Sequence, residues 1–223
     1  MNKRHKENSN LILHNKDHYC GIPLQIQRGD LIQNYLKRIE ETIRLAVKEH
    51  HRTLAVRVDL HLPAEGTFNS DVISKFTDSL NAQIGADSSN KRRLDKRVHP
   101  CTLRFIWVKE KHQSTQFHYH VLLLLNRDRY HCLGDYKNTA GNTAARIKRA
   151  WASALNIYLG DIAGLVHFPN NPEYTLNFCS DNDPKSRRFQ GEFFTLFKRV
   201  SYFAKAKTKH YGDGSNSFGC SRR

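Results

Sequence analysis

Apolar residues occupy every second position from 54 to 62, and Arg57, Asp59 and His61 lie between them. The side chains of a β-strand point alternately to its two faces. The pattern therefore predicts a strand with one buried face and one solvated face. Pro63 ends this strand, because proline cannot donate to a sheet hydrogen bond.

A second strand is predicted by the apolar run over residues 116–126, which contains His118, Tyr119 and His120. Both histidines face the same side of such a strand, where two neutral imidazoles could hold one divalent cation. The alternative interpretation is an ordinary buried strand with two satisfied histidines. A further strand is predicted over about 102–109, and the short polar turn between them makes the two a hairpin.

Apolar residues at helical spacing predict four helices, with Asp30 as the N-cap of the first. These helices cover about 30–50, 70–84, 143–158 and 189–207. Short strands are predicted at 165–168 and 174–178, a polar loop at 85–96, and a turn-rich tail at 212–219.

The order strand, helix, hairpin, helix, strand predicts an α+β fold of the ferredoxin-like (split βαβ) type, with an antiparallel central sheet and flanking helices. The first and third strands are neighbours in that topology, so Asp59 and His61 would lie beside His118 and His120. We interpret residues 1–50 as a basic N-terminal segment with a lead-in helix, and residues 51–223 as the main domain.

The charge balance of 36 − 21 = +15 indicates a polyanionic partner, most often nucleic acid. No apolar run reaches the roughly 20 residues that a membrane span needs, and the N-terminus does not resemble a secretory signal. An acidic membrane surface is the alternative polyanionic partner. The five scattered cysteines lack a C-x-x-C motif, which indicates reduced thiols in the cytoplasm.

A hard cation such as Mg²⁺ or Mn²⁺ needs oxygen ligands besides imidazole. Asp59 is the first candidate, because it lies mid-strand among apolar residues on the face of the histidines. Glu110 is the second, because pairing across the hairpin would place it beside His118, and His61 is the third. Asp59 could instead be a strand-surface acid paired with Arg57 or a lysine.

The last predicted helix has an apolar stripe, and Tyr202 falls on the opposite side together with Lys198, Lys205 and Lys209. Nearby positive charge favours the phenolate form that a nucleophilic tyrosine needs. Lysines one turn away would also suit a phosphate. The alternative is a surface tyrosine on a solvated basic face.

The motifs His118-Tyr119-His120 and Tyr202-Phe203-Ala204-Lys205, in this order, resemble those of the HUH endonucleases, the rolling-circle replication initiators and relaxases. The strand around Asp59 stands where the first motif of that superfamily belongs. The tail that ends in Phe218-Gly219-Cys220 looks more narrowly like the inovirus-type replication proteins and the related YagK/YfjJ prophage proteins. The likeness covers about residues 50–220.

This resemblance implies a Mg²⁺ or Mn²⁺ ion and the nicking and rejoining of single-stranded DNA at a replication origin. Tyr202 would attack the scissile phosphate, leaving a 5′-phosphotyrosine and a free 3′-OH, and Tyr211 is a spare candidate for the nucleophile. Lys205 would assist Tyr202 or hold the phosphate. The residues expected to bind DNA are Arg57, Lys198, Lys207 and Lys209.

The resemblance also implies a role in rolling-circle replication of a phage, prophage or plasmid in the cytoplasm of a bacterial host. The sequence has no Gly-rich Walker loop, so a host helicase and polymerase would unwind and copy the DNA. A non-catalytic DNA-binding regulator of replication or transcription on the same fold would need neither metal ligands nor Tyr202. An RNA-binding module would carry exposed aromatic residues on its central strands, where this sequence has His and Asp.

Overall fold

The computed structural model describes residues 3–111, 117–180, 183–209, 211 and 214–221, which form a mixed α+β fold. The four α-helices of these residues are α1 Gln33–Glu49, α2 Val72–Arg93, α3 Thr143–Leu155 and α4 Ser186–Val200. The strands are β1 Leu13–His14, β2 His18–Tyr19, β3 Ile22–Pro23, β4 Leu31–Ile32, β5 Arg52–His61, β6 Arg104–Glu110, β7 His118–Asn126, β8 Val166–His167, β9 Glu173–Asn177 and β10 Phe218–Cys220. No helix among these residues is both long and apolar enough to cross a membrane.

The central sheet has the strand order β10-β6-β7-β5-β8, and β9 also pairs with β5. Every pairing in it is antiparallel. Because β5 pairs with β7 along its length, the predicted neighbourhood of the first and third long strands is confirmed. The register sets Asp59 opposite His120 and His61 opposite His118.

Helices cover both faces of this sheet. The helices α2 and α3 pack on one face, and α1 and α4 pack on the other. The prediction of a solvated face on β5 is therefore wrong, because Ala55 on that face is fully buried. Ile106, Leu122 and Leu124 extend the same apolar floor across β6 and β7, and burying such a floor under helices is favourable. The end of this face that carries Asp59 and His120 presents a group of ionisable side chains.

The first two helices differ from the predicted bounds. Helix α1 begins at Gln33 and not at Asp30, because Leu31–Ile32 pairs with β1 as a short strand. Asp30 binds Lys3 at 2.8 Å and caps no helix. Helix α2 continues to Arg93 through the segment predicted as a loop, where Asp87 contacts arginines of the following elements.

The C-terminal region also differs from its predicted form. Helix α4 ends at Val200 and is followed by a 3₁₀ turn over Ser201–Ala204, so the predicted helix to residue 207 is wrong. The tail predicted as turns contains β10, which pairs with β6. A Cβ atom on Gly219 would lie 2.5 Å from the Trp107 ring, so only glycine permits this close approach of the strand.

Candidate active site

Two histidines and one glutamate converge at the end of the sheet where β6 finishes and β7 begins. Glu110 is the last residue of β6, and the register places it opposite His118, as the hairpin pairing predicted. His120 lies two positions further along the same face. One ligand atom from each of Glu110, His118 and His120 lies within 4.8 Å of the others. We call these three residues the His/Glu cluster.

Asp59 is not a member of this cluster, although it was the first candidate for the oxygen ligand. The His120 Nδ1 donates a hydrogen bond of 2.6 Å to Asp59 Oδ1, while His120 Nε2 lies 3.5 Å from Glu110 Oε2. Asp59 thus orients the imidazole and directs its other nitrogen into the cluster, as carboxylates behind metal-bound histidines do. His61, the third candidate, stacks on His118 with ring centroids 5.6 Å apart.

The ionisation of the cluster follows from burial and from these contacts. Burial and the neighbouring His120 lower the pKa of His118 to about 4, so His118 is neutral at pH 7. Burial acts to lower the pKa of His120 too, but the hydrogen bonds to Asp59 and Glu110 outweigh it and raise that pKa. Burial acts to raise the pKa of Glu110, yet its contacts with His120 and Lys209 lower it below the usual range.

The donor set of the cluster fits a divalent cation. It offers two imidazole nitrogens and one carboxylate, and Glu110 is only 1% exposed. Carboxylate and water suit both Mg²⁺ and Mn²⁺, whereas imidazole suits first-row transition metals. Mn²⁺ belongs to that first row and Mg²⁺ does not, so Mn²⁺ fits the two imidazoles better, and either ion would need further oxygen ligands from water or substrate.

The placement of Lys209 corrects its predicted role as an exposed DNA-binding residue. Its side chain is fully buried, and its Nζ lies 2.5 Å from Glu110 Oε1. Burial lowers the pKa of Lys209, and the attraction of Glu110 only partly offsets this effect. Lys209 therefore neutralises the charge of Glu110 and holds its carboxylate in place from the buried side of the cluster. It offers no surface to a phosphate.

Replacing Lys209 with methionine should destabilise the fold by about 3–5 kcal/mol, because the change leaves the buried Glu110 carboxylate without its counter-charge. The matched control is Lys207→Met, an exposed position two residues earlier, which should change stability by less than about 0.5 kcal/mol. Urea unfolding followed by circular dichroism measures both. Equal midpoints for the two variants would show that Glu110 does not depend on Lys209.

Tyr202 is turned toward the cluster and not outward among lysines, which corrects the prediction from the helical wheel. It lies in the 3₁₀ turn after α4, is half-buried, and its ring centroid is 5.6 Å from that of His120. A 3₁₀ turn advances 120° per residue where an α-helix advances 100°. Because the 3₁₀ turn begins at Ser201, a wheel drawn for an α-helix to residue 207 does not give the direction of Tyr202.

The other predicted site residues surround Tyr202 or lie on the surface. The Lys205 Nζ is 5.4 Å from the Tyr202 ring centroid, and the Arg57 guanidinium is 6.0 Å from it. Arg57 also reaches Asp59 at 3.6 Å. Lys198 and Lys207 are exposed. Arg57 and Lys205 are thus part of the site, whereas Lys198 and Lys207 are open to a ligand outside it.

Tyr211, the spare nucleophile candidate, lies in a different environment. Its hydroxyl is hydrogen-bonded to that of Tyr35 at 3.2 Å, and its ring packs edge-on against His5. Burial and the bond to Tyr35 raise the pKa of Tyr211 well above the usual tyrosine value. This environment disfavours the phenolate that nucleophilic attack requires.

Two residues of the site were not predicted as site residues from the sequence, namely Phe203 and His167. Phe203 stacks on His120 with an interplanar angle of 18° and ring centroids 6.1 Å apart. Its place on the apolar stripe of the last predicted helix was the available signal. His167 Nδ1 lies 3.8 Å from Asp59 Oδ2, and its signal was its position in a short predicted strand.

Comparisons with known proteins found one matching family and two similar proteins. The model of the family "YagK/YfjJ C-terminal domain" matches residues 14–221. The chain is 39% identical over 205 residues to "Uncharacterized protein YagK" of Escherichia coli strain K12, covering 87% of this chain and 95% of that protein. It is 36% identical over 207 residues to "Uncharacterized protein YfjJ" of the same strain, covering 87% and 96%. No solved structure matches the chain.

Proposed function

This chain belongs to the YagK/YfjJ C-terminal domain family, and we propose that it nicks and rejoins single-stranded DNA at a replication origin in a metal-dependent reaction. The observation that carries this proposal is the contact between Tyr202 and the His/Glu cluster. The turn after α4 places the ring centroid of Tyr202 5.6 Å from that of His120. A tyrosine beside a metal-binding group is the combination that covalent phosphoryl transfer requires.

The strand order supports the assignment to the HUH endonuclease type. From β5 to β9 the chain follows the order strand, helix, hairpin, helix, strand. The strands β6, β7, β5 and β9 are neighbours in that spatial order, and this order supports the proposal of a ferredoxin-like sheet. The histidine motif lies on a central strand of it.

In the proposed reaction the Tyr202 oxygen forms a bond to the scissile phosphorus while the bond from phosphorus to the 3′ oxygen breaks. The phenol proton is lost to solvent, and the leaving oxygen takes up a proton to become a free 3′-OH. The 5′ phosphate remains on Tyr202 as a phosphotyrosine, and rejoining reverses these steps. A divalent ion held by Glu110, His118 and His120 would supply polarisation of a phosphate oxygen.

The cations around Tyr202 have a defined part in this proposal. Lys205 and Arg57 place positive charge near its ring, where it stabilises the phenolate and the negative charge of the phosphate. Lys198 and Lys207, which are exposed, bind the phosphates of the flanking strand. A host helicase and polymerase would separate the strands and extend the free 3′-OH.

The test is a denaturing gel of labelled single strands with a randomised internal sequence, incubated with the protein and Mn²⁺. We expect a slowly migrating covalent adduct and a shortened strand, both removed by EDTA. Protein that binds the labelled strands but yields no adduct with Mn²⁺ or Mg²⁺ would overturn the proposal.

One observation favours a second candidate function, a DNA-binding regulator without catalysis. The buried pair of Lys209 and Glu110 already gives the carboxylate a cationic partner, so the cluster is electrostatically balanced by the protein alone. A regulator of this kind binds the labelled strands in native gels with or without EDTA and forms no adduct.

A further inference from the structure

A cluster of basic residues lies at the C-terminal end of α2, outside the candidate active site. Five of the seven residues 91–97 are lysine or arginine, and we call this segment the α2 basic end. Every residue from Arg92 to Arg97 is exposed. Because α2 continues to Arg93, the first of these cations are fixed on a rigid helix.

The α2 basic end carries five cations against one acidic residue, Asp95, so it keeps an excess of positive charge. Asp87 contacts Arg129 and Arg146, and its only partner within the segment is Lys91 at 3.7 Å. Arg92, Lys96 and Arg97 form no salt bridge with any residue that the structure describes. Cations in the last turn of a helix also stabilise its partial negative charge. That effect is confined to the last turn, so it does not account for Lys96 and Arg97.

The α2 basic end lies at the opposite end of the sheet from the His/Glu cluster. The segment that follows it is anchored there, because the Asn126 side chain donates a hydrogen bond of 2.7 Å to the Pro100 carbonyl. Asn126 is the last residue of β7 and His118 is the first. Eight steps along a strand at about 3.3 Å each separate the two ends by roughly 26 Å.

We propose that the α2 basic end binds the backbone phosphates of duplex DNA. Single strands are bound through aromatic side chains on which bases stack, and residues 91–99 contain no Phe, Tyr or Trp. An anionic membrane would also need an apolar face, whereas Leu94 is the one large apolar residue among these cations. Lysines and arginines on a projecting helix end match the regularly spaced phosphates of a duplex.

This surface is separate from the nicking site and does not depend on it. Duplex binding by the α2 basic end stands even if no covalent adduct forms, and the adduct can form on single strands without it. If both functions are present, the protein holds a duplex at one end of the sheet and a single strand at the other.

The experiment measures binding of a short blunt duplex, and of one of its strands, by fluorescence anisotropy at several salt concentrations. The test variant replaces Arg92, Arg93, Lys96 and Arg97 with glutamine. The control variant replaces four exposed lysines elsewhere, namely Lys16, Lys37, Lys137 and Lys185, with glutamine, so both proteins have the same net charge. The pair Lys96→Gln/Arg97→Gln, beyond the helix, serves as a second test variant if the first unfolds.

We expect the test variant to bind the duplex at least about tenfold more weakly, with the salt slope reduced by about 3–4, which is roughly 0.9 for each cation removed. Its binding of the single strand should match that of the control. Equal duplex binding by the test and control variants would overturn the proposal. A loss of binding confined to the single strand would also overturn it.

Discussion

Replacing Tyr202 with phenylalanine should abolish both strand cleavage and the covalent adduct. The change removes one oxygen and keeps the ring that packs against His120. Because that oxygen is the group that would bond to phosphorus, no other atom of residue 202 can replace it. Fold stability and affinity for single strands should stay close to those of the wild type, since the surrounding cations are unchanged. The measurement is the labelled-strand gel with Mn²⁺.

Tyr211→Phe is the matched control, because it removes the same atom from a tyrosine in the same region. Its hydroxyl is bonded to Tyr35, so its loss should cost about 1 kcal/mol of stability and leave the adduct intact. An adduct that survives Tyr202→Phe and disappears in Tyr211→Phe would transfer the nucleophile to Tyr211. Persistence of the adduct in both variants would place the covalent bond on another residue.

The second prediction separates a metal ligand from the residue that orients it. Titration with Mn²⁺ in a calorimeter should show binding to the wild type. Asp59→Asn should weaken the affinity for Mn²⁺ by about 10–100-fold, which is the usual effect of removing a residue that orients a metal ligand. The double variant Glu110→Gln/Lys209→Met should lose more, because Glu110 supplies the only carboxylate of the His/Glu cluster. Removing Lys209 at the same time avoids leaving a buried ammonium unpaired.

The relative order of the two effects is the decisive result. If Asp59→Asn abolished Mn²⁺ binding and the double variant bound normally, Asp59 would be the ligand and the orienting role would be wrong. Thermal unfolding of each variant without metal serves as the control for intact folding. Absence of Mn²⁺ binding by the folded wild type would argue against the metal assignment as a whole.

The sequence could predict that β5 and β7 are neighbours and which of their residues share a face. The alternation of apolar and polar residues along each strand is a local pattern, and the order of elements supplies the rest. The positions of Asp59, His118 and His120 on one face follow from counting residues, and the order of elements then brings the strands together. The choice between Asp59 and Glu110 could not be made in this way. Both lie on the same face, and only the direction of the His120 ring distinguishes them.

The errors at the C-terminal end have a common cause. The helical wheel assumes that the α-helix continues, and α4 ends two residues before Tyr202. Beyond that point the wheel gives wrong directions for Tyr202 and Lys209. The sequence carried no strong stop signal there, such as proline or glycine. The burial of Lys209 depends on Glu110, 99 residues earlier in the chain, and no local pattern reports such a contact.

The pairing of β10 with β6 has a consequence for how the protein is made. Phe218 pairs with Val108, and 218 − 108 = 110 residues separate them, so the ribosome completes β6 long before its partner strand exists. An unpaired strand edge is a template for aggregation, and contacts between distant residues form slowly. Glu110, His118 and His120 likewise precede Tyr202 in synthesis. The edge of β6 therefore stays open to misassembly until β10 has been made, after both the histidine strand and the tyrosine turn.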